Sequence, residues 1–258
     1  MFMLDMDGTI YNENILIPGA KEFFHLLQER GINYTFMTNN SSKSKYKYVE
    51  KLRNLGISCS EKHIASSVNA TMAYLKLHKP NAKLYLVGTE SLKHELEIEG
   101  FSVIPPDYRK SDVDYVLVAY DTELTYEKLE GACWYISRDY PFIATNCDMR
   151  CPVLGNKFIP DCGAICDMIT AATLKKPMYL GKPDKYIVDA VIKEWNLKPE
   201  EVATVGDRLY TDIAVGVNAG VDSICVLTGE ATLEEISRSV FKPNYVFSSI
   251  KELYEAIL

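Results

Sequence analysis

Two aspartates, one residue apart, follow directly on the first apolar run of the chain. Asp5 and Asp7 come after residues 2–4 and are followed by Gly8 and Thr9. A short apolar run with turn residues behind it predicts a buried parallel strand, and its carboxyl end lies where open α/β sheets hold their ligands. Neighbouring carboxylates repel each other unless a cation lies between them, and oxygen ligands suit Mg²⁺. The pattern therefore predicts a magnesium site, with a polar strand end as the plain alternative.

A second apolar run, at residues 32–37, also ends in polar side chains. Thr38, Asn39 and Asn40 follow it, ahead of a helix predicted from about 44 to 55. These residue types commonly cap helices and form turns. Hydroxyl, amide and free backbone N–H groups near a helix N-terminus also bind phosphate. Because this pattern repeats that of the first strand, we favour phosphate binding over simple capping.

Further polar residues follow apolar segments in the last third of the chain. Lys182 comes after a short strand predicted at 178–180, and Asp207 and Asp212 come after a strand predicted at 202–206. A surface lysine and two acids in the first turn of a helix are the ordinary alternatives. Their position behind predicted strands suggests instead that they join the residues already described.

Together these groups predict phosphoryl-transfer chemistry. Right-handed βα units would bring all four strand ends to one edge of a parallel sheet. Three carboxylates for Mg²⁺, one lysine and several phosphate donors would meet there. Asp5 is then the candidate nucleophile that forms an aspartyl-phosphate, and Asp7 is placed to protonate the leaving oxygen and later deprotonate water. Mg²⁺ and Lys182 would offset the repulsion between nucleophile and substrate.

Four segments also carry a family resemblance: Asp5-Met6-Asp7-Gly8-Thr9, Thr38-Asn39-Asn40, Gly181-Lys182-Pro183, and Gly206-Asp207 with Asp212. They resemble the four motifs of the haloacid dehalogenase (HAD) superfamily, in the order and separation of its phosphatase branch. The resemblance implies that Asp5, the backbone carbonyl of Asp7, and Asp207 hold Mg²⁺. It also implies phosphate contacts from Lys182 and the second segment, and supporting roles for Gly8, Gly206 and Asp212.

The long stretch between the second and third segments is where this superfamily inserts a C2 cap. Residues 114–120, 124–129 and 144–148 look like the cap of the NagD-like, p-nitrophenylphosphatase-type subfamily. The resemblance implies an α/β fold, with a Rossmann-like core whose parallel sheet is flanked by helices and an inserted α/β cap. We expect the core at residues 1–78 and 179–258, and the cap at 79–178.

In that subfamily the cap shields the site and sets substrate choice. The loop at 146–162 is the expected substrate-facing surface, and Asn146 and Asp148 are its candidate specificity residues. Residues 161–164 read Asp-Cys-Gly-Ala, which departs from the Pro-Gly-Ala-Gly often found in related sequences. The cap contacts are therefore the part of the resemblance that transfers least directly.

Composition excludes several other function classes. The chain has 258 residues, of which 47% are hydrophobic and 24% charged, as in ordinary globular proteins. A net charge of -7 argues against a general nucleic-acid surface and gives no reason to expect binding to an anionic membrane. No signal peptide and no apolar stretch long enough for a membrane span is found, so we expect a cytoplasmic protein.

The cysteines pose a separate question. Seven cysteines, an odd number without a secretion signal, predict reduced thiols. Cys147, Cys151, Cys162 and Cys166 could form a zinc site. The pairs lack the two-residue spacing common in structural zinc sites, and prolines constrain the segment between them, so we disfavour zinc.

The sequence thus predicts a Mg²⁺-dependent phosphomonoesterase whose partner is a small-molecule phosphate ester. A sugar phosphate, a nucleotide or pyridoxal phosphate would suit it. Two alternatives remain: a phosphate-ligand binding or regulatory protein on an inherited scaffold, and a phosphomutase. A homodimer stays open, because caps can mediate dimers in related proteins.

Overall fold

The computed structural model describes residues 1–41, 45–104, 111–153 and 157–258, with only the backbone at 152 and 153. The chain divides into two compact units: the first comprises Met1–Thr38, Lys45–Ala65 and Lys182–Leu258, and the second comprises Asn39–Ser44 and Ser66–Gly181. Residues 39–44, 66–78 and 179–181 thus group with the inserted unit, whereas the sequence placed them in the flanking parts. The core and cap boundaries at 78 and 178 stay a prediction.

Strands and helices alternate along most of the chain. No helix in the described ranges is both long and apolar enough to cross a membrane. Short 3₁₀-helices occupy Glu61–His63 and Pro199–Glu201, and a π-helical turn occupies Leu209–Ile213. The helices are α1 (Ala20–Glu29), α2 (Lys45–Asn54), α3 (Ser67–His78), α4 (Glu90–Ile98), α5 (Tyr126–Ile136), α6 (Cys162–Thr173), α7 (Tyr186–Trp195), α8 (Ala214–Ala219), α9 (Leu233–Arg238) and α10 (Ile250–Ala256). The strands are β1 (Phe2–Leu4), β2 (Tyr11–Asn12), β3 (Ile15–Leu16), β4 (Tyr34–Thr38), β5 (Ile64–Ser66), β6 (Lys83–Val87), β7 (Ser102–Val103), β8 (Tyr115–Val118), β9 (Phe142–Ala144), β10 (Arg150–Val153), β11 (Lys157–Pro160), β12 (Met178–Tyr179), β13 (Ala203–Gly206), β14 (Asp222–Val226) and β15 (Tyr245–Phe247).

The first unit is built on a six-stranded sheet in the order β15-β14-β13-β1-β4-β5. Strand β1 pairs in parallel with β4 and β13 on its two sides, and β14 pairs in parallel with β13 and β15. The apolar runs predicted at 2–4, 32–37 and 202–206 all fall in this sheet. Parallel strands of this kind are buried on both faces, which is why their sequences read as continuous apolar runs.

Helix α1 shows how the core of this unit is filled. Its apolar residues recur at helical spacing, so Phe23, Phe24 and Leu27 share one face and are buried. The ring of Phe24 packs 5.2 Å from Phe36 of β4, centroid to centroid. Aromatic pairs of this kind add packing energy beyond the area that they bury, and this one joins α1 to β4.

The second unit contains its own sheet, in the order β12-β9-β8-β6-β7, with parallel pairings throughout. Strand β12 is the edge strand and pairs with β9. Lys182 therefore does not follow a strand of the first sheet, and the prediction that four strand ends share one edge was wrong at this point. A strand of two residues could join either sheet, so its sequence alone does not determine which strand it pairs with.

A hairpin lies within residues 146–162, which the sequence predicted as a loop. Strands β10 and β11 pair in antiparallel register, with Cys151 opposite Ile159. All four residues of β11 are exposed, so the strand lacks the alternation that marks a half-buried strand. The prediction of loop was therefore wrong for these residues, while 154–156 lie outside the described residues.

Gly131 in α5 generates a prediction about packing in the second unit. A Cβ added there would lie 1.9 Å from Oη and 2.4 Å from Cζ of the buried Tyr85 in β6. We expect Gly131→Ala to lower the free energy of unfolding by about 1–3 kcal/mol, because overpacking outweighs the roughly 1 kcal/mol gained in helix propensity.

Tyr85→Phe supplies the matched background, since it removes the closest atom. Urea unfolding of the four proteins should show a smaller loss from Gly131→Ala when residue 85 is Phe. Equal losses in the two backgrounds, or a neutral single variant, would contradict the steric explanation.

Candidate active site

Three buried carboxylates converge in the first unit. Asp5 follows β1, Asp207 follows β13, and Asp212 lies in the π-helical turn behind Asp207. One carboxylate oxygen from each lies within 4.8 Å of the others. All three residues are at most 7% exposed. Because β1 and β13 are neighbours in parallel register, Leu4 pairs with Val205, which brings the residues beyond them together.

Lys182 provides the positive charge inside this cluster. Its Nζ donates hydrogen bonds to Oδ1 of Asp5 and Oδ1 of Asp212, each over 2.6 Å. The lysine itself is 3% exposed. Burial lowers its pKa, but Asp212 and Asp5 more than offset that effect, so the pKa lies above its ordinary value. The ammonium therefore stays charged and links two acids that would otherwise repel each other.

The carboxylates remain electrostatically strained despite this lysine. Burial raises the pKa of Asp5 to about 8, with Asp212 adding to the effect and Lys182 opposing it. Burial and Asp212 likewise raise the pKa of Asp207 to about 6. Removing water from several like charges disfavours their ionised forms, and the nearby cations Lys182 and Arg208 do not fully compensate. The cluster is therefore suited to hold a further cation.

Asp212 is held by an unusual local backbone. The N–H groups of Asp212 and Ile213 both reach the carbonyl of Arg208, over 3.0 and 3.1 Å, as expected for a π-helical turn. The N–H of Arg208 donates to Oδ2 of Asp212 over 3.1 Å. A Cβ at Gly206 would lie 2.2 Å from Cβ of Asp212, so only glycine leaves room for this turn.

Asp7 is more exposed than Asp5 and lies in a tight loop. Its backbone forms a bridge with Tyr11, and the N–H of Gly8 donates to the Tyr11 carbonyl over 2.9 Å. Tyr11 is fully buried, and burial together with the charges of Asp7 and Asp5 raises its pKa. The loop thus separates the two aspartates by environment, with one enclosed among charges and the other open to solvent.

The predicted phosphate-binding residues divide between the two units. Thr38 is the buried last residue of β4 in the first unit, while Asn39 and Asn40 belong to the second. The backbone carbonyl of Asn39 accepts a hydrogen bond from Ser67 Oγ over 2.8 Å. The Asn40 side chain contacts Cys151 Sγ over 3.9 Å. A phosphate-binding role for these residues stays a prediction.

Asn146 and Asp148, the candidate specificity residues, are tied into the second unit. Asn146 is fully buried, and its Nδ2 donates to Oδ2 of Asp148 over 3.2 Å and to Oδ1 of Asp161 over 3.1 Å. Asp161 in turn accepts from the N–H of Cys162 at the start of α6. The amide of Asn146 therefore holds a turn, and its substrate contact remains a prediction.

Cys147, Cys151, Cys162 and Cys166 are all unbridged thiols. Burial raises the pKa of Cys147 to about 12. Among the described residues, one set of three or more His, Cys, Asp or Glu side chains comes close enough together to hold a metal ion. That set is Asp5, Asp207 and Asp212, so it does not include these cysteines.

Comparisons with known proteins agree with this geometry. Haloacid dehalogenase-like hydrolases match residues 2–102, and a second group described as HAD-hydrolase-like matches residues 179–253. The chain is 36% identical to an acid sugar phosphatase of Staphylococcus aureus, over 99% of this chain and 96% of that protein. The crystal structure of a 4-nitrophenylphosphatase from Thermotoga maritima superimposes with a TM-score of 0.91 at 39% identity, covering 100% and 97% of the two chains. NagD from E. coli K-12 gives 0.88 at 31% identity, covering 97% and 96%.

The chain belongs to the haloacid dehalogenase-like hydrolase family. It is a phosphatase of the NagD-like type, and the predicted α/β class with a Rossmann-like core and an inserted cap is confirmed.

The acidic cluster of this phosphatase fits a divalent metal ion. It offers three hard oxygen donors within 4.8 Å, which is the chemistry that Mg²⁺ and similar ions select. The raised pKa values of Asp5 and Asp207 show that the carboxylates are under-compensated without such an ion. Family members generally use a divalent metal.

Sequence analysis of this phosphatase missed two features of the site. Arg208 is a second cation beside the cluster. Burial lowers its pKa, but the charges of Asp5, Asp212 and Asp207 more than offset burial, so the pKa lies above its ordinary value. Its position directly after Asp207 was visible in the sequence but its orientation was not. The other feature is the loop behind β14, where Glu230 N–H donates to Oδ2 of Asp207 over 2.8 Å.

Asp5→Asn should stabilise the metal-free phosphatase, and more so as the pH rises. The pKa of Asp5 is raised from 3.8 to about 8, so between these values the folded protein keeps a proton that the unfolded chain releases. Stability therefore falls as pH rises through that window, and an uncharged asparagine avoids the loss. We expect the gain in Tm in EDTA to be larger at pH 8 than at pH 5.

The matched control is Asp222→Asn, an exposed acid at the other end of the strand next to β13. It should change Tm little, and equally, at both pH values. A gain from Asp5→Asn that does not depend on pH, or a loss at pH 8, would contradict the assignment of charge strain to Asp5.

Proposed function

We propose that this phosphatase hydrolyses a small phosphate monoester with Mg²⁺ and an aspartyl-phosphate intermediate. The observation that carries the proposal is the arrangement around Asp5. Its carboxylate accepts a hydrogen bond from Lys182, and one of its oxygens lies within 4.8 Å of a carboxylate oxygen of both Asp207 and Asp212. A carboxylate held next to a fixed ammonium and two further acids is suited to attack phosphorus while cations neutralise the substrate.

The metal ion would be held by Asp5, the backbone carbonyl of Asp7, and Asp207, with Asp212 in a supporting role. When bound, it supplies positive charge that favours the ionised form of Asp5 and neutralises phosphate oxygens. Lys182 contributes fixed positive charge from within the cluster. We assign Thr38, Asn39 and Asn40 to the phosphate on the family resemblance.

The chemistry then proceeds in two displacements. An Asp5 carboxylate oxygen attacks phosphorus, the bond from phosphorus to the ester oxygen breaks, and Asp7 gives that oxygen a proton. Asp7, now ionised, takes a proton from water as the water oxygen attacks phosphorus. The bond from phosphorus to Asp5 breaks, which releases inorganic phosphate and restores both aspartates.

Sugar phosphates are the substrate class we place first. The relatives at 36% and 33% identity are named acid sugar phosphatases, and their coverage of this chain is 99%. Nucleotides and pyridoxal phosphate remain candidates, because substrate choice in this subfamily depends on cap contacts. A phosphomutase and a binding protein on the same scaffold are the competing functions.

Phosphate release from a panel of sugar phosphates, nucleotides and pyridoxal phosphate tests the proposal. We expect turnover in Mg²⁺ that EDTA abolishes and added Mg²⁺ restores, with a sugar phosphate at the top of the ranking. Phosphate moved to another position of the same sugar without release would identify a mutase. Thermal stabilisation by phosphate esters without turnover would favour a binding protein.

Asp7→Asn gives a sharper test of the acid–base role, because the effect should depend on the leaving group. A sugar alkoxide needs a proton as it leaves, whereas 4-nitrophenolate does not. We expect kcat/KM to fall by about 10²–10⁴-fold for a sugar phosphate and clearly less for 4-nitrophenyl phosphate.

Asp5→Asn is the comparison variant. It should lose turnover of both substrates while retaining its circular dichroism spectrum, since a nucleophile is needed whatever the leaving group. Equal losses for the two substrates in Asp7→Asn would argue against proton donation by Asp7. Retained activity in Asp5→Asn would remove the nucleophile assignment.

A further inference from the structure

The loop at residues 228–231 makes several close contacts with the acidic cluster, although it lies outside the family motifs named above. It follows β14, the strand on the far side of β13 from β1. The N–H of Glu230 donates to Oδ2 of Asp207 over 2.8 Å, and the N–H of Ala231 donates to the backbone carbonyl of Asp207 over 2.9 Å. Both ends of the Asp207 residue, side chain and backbone, are thus fixed by one loop.

The same loop also holds the segment that carries Asp5 and Asp7. Thr228 Oγ1 donates to the Gly8 carbonyl over 2.6 Å, which fixes the peptide that follows Gly8. The N–H of Gly8 donates to Tyr11, so the peptide that precedes it is fixed as well. That preceding peptide contains the Asp7 carbonyl, a proposed metal ligand. The loop thus contacts Asp207 directly and the peptide next to the one that contains the Asp7 carbonyl.

Gly229 allows the loop to approach this closely. A Cβ at residue 229 would lie 1.9 Å from Oδ2 and 2.4 Å from Cγ of Asp207. That carboxylate is 2% exposed and also accepts from Thr9 at Oδ1, so it has little freedom to move aside. Gly8 also approaches this carboxylate, since a Cβ at residue 8 would lie 2.6 Å from Oδ2 of Asp207. Its φ of +85° would strain any other residue, so a substitution there would not test the close contact alone.

We infer that the loop at 228–231 is a positioning element for the metal site, with Thr228 and Gly229 as its specific residues. Through Gly229 and the Glu230 N–H it sets the direction of the Asp207 carboxylate, and through Thr228 it sets the loop that carries the Asp7 carbonyl. Partners outside the ligand shell commonly control metal affinity in this way. The inference rests on the proposed role of Asp207 as a metal ligand.

The Glu230 side chain makes weaker contacts, with Arg208 and Tyr210. Its carboxylate lies 3.2 Å from Nε of Arg208 as an ion pair and 3.4 Å from the Tyr210 hydroxyl. The glutamate side chain is 47% exposed, and exposed ion pairs contribute little. The backbone N–H of Glu230, which no side-chain substitution removes, makes the contact that matters to Asp207.

Mg²⁺ binding without substrate, measured by calorimetry on the full chain, tests the inference. Gly229→Ala should raise the Kd for Mg²⁺ by about 10–100-fold, the range typical of lost support around a metal site. Thr228→Val should raise it by about 3- to 10-fold, as expected for one lost hydrogen bond, and Thr228→Ser should restore binding to near the wild-type value. The Mg²⁺ concentration for half-maximal phosphate release should shift in parallel, with kcat at saturating Mg²⁺ changed less.

Two further variants make each outcome decisive. Thr232→Val removes the N-cap of α9, four residues beyond Thr228, and should lower Tm without changing the Kd for Mg²⁺. Asp207→Asn should abolish binding. If Asp207→Asn loses Mg²⁺ while Gly229→Ala and Thr228→Val bind it normally, the positioning role is wrong and the proposed metal role stands. If Asp207→Asn still binds Mg²⁺ normally, both fail.

Thr228 also keeps the test valid should Gly229→Ala fail to fold. Valine and serine at this position differ from threonine in opposite respects, since one keeps the shape and the other the hydroxyl. Weakened Mg²⁺ binding in the valine variant with recovery in the serine variant would support the inference. Equal Mg²⁺ affinity in the two would overturn it.

Discussion

The ammonium group of Lys182, bonded to two buried carboxylates, is the interaction on which the site depends. Asp5 and Asp212 are each 2.6 Å from it, and Asp207 completes a group of acids that water hardly reaches. Burying one uncompensated carboxylate is costly, and burying three side by side is more so. The fold meets that cost partly with Lys182 and Arg208 and partly with backbone N–H donors. What remains shows as raised pKa values at Asp5 and Asp207.

Close backbone approach is the second constraint, because the acids can converge only where no side chain intervenes. Gly8 and Gly229 both face the Asp207 carboxylate, and Gly206 faces Asp212. Each glycine adjoins a residue of the site: Gly8 follows Asp7, Gly206 precedes Asp207, and Gly229 precedes Glu230. In sequence, Gly8 and Gly206 stand out only through the family resemblance, and Gly229 looks like an ordinary turn glycine. In the structure they determine how near the carboxylates lie to one another.

Much of the site could be predicted from sequence because its residues follow buried strands. Asp5 and Asp207 lie behind β1 and β13, whose parallel pairing brings the acids together. For Lys182 the argument from strand ends was wrong, because β12 belongs to the second sheet and the partner of so short a strand depends on distant contacts. The family resemblance of the segment Gly181-Lys182-Pro183 had indicated this lysine independently. The loop at 228–231 escaped prediction because its contacts are made mainly by backbone groups, which leave little trace in residue type. The exposed strand β11 likewise carries no pattern of burial.

Charge balance connects this architecture to phosphate chemistry. In their ionised forms the three acids of the cluster exceed its two cations, Lys182 and Arg208, by one negative charge. Such a site attracts a cation and repels a phosphate ester. A divalent ion would turn the excess into one positive charge, which would favour an anionic substrate and the ionised form of Asp5 that the proposed mechanism requires. The excess negative charge that raises the pKa values of Asp5 and Asp207 in the metal-free protein would thus also make phosphate binding depend on the metal.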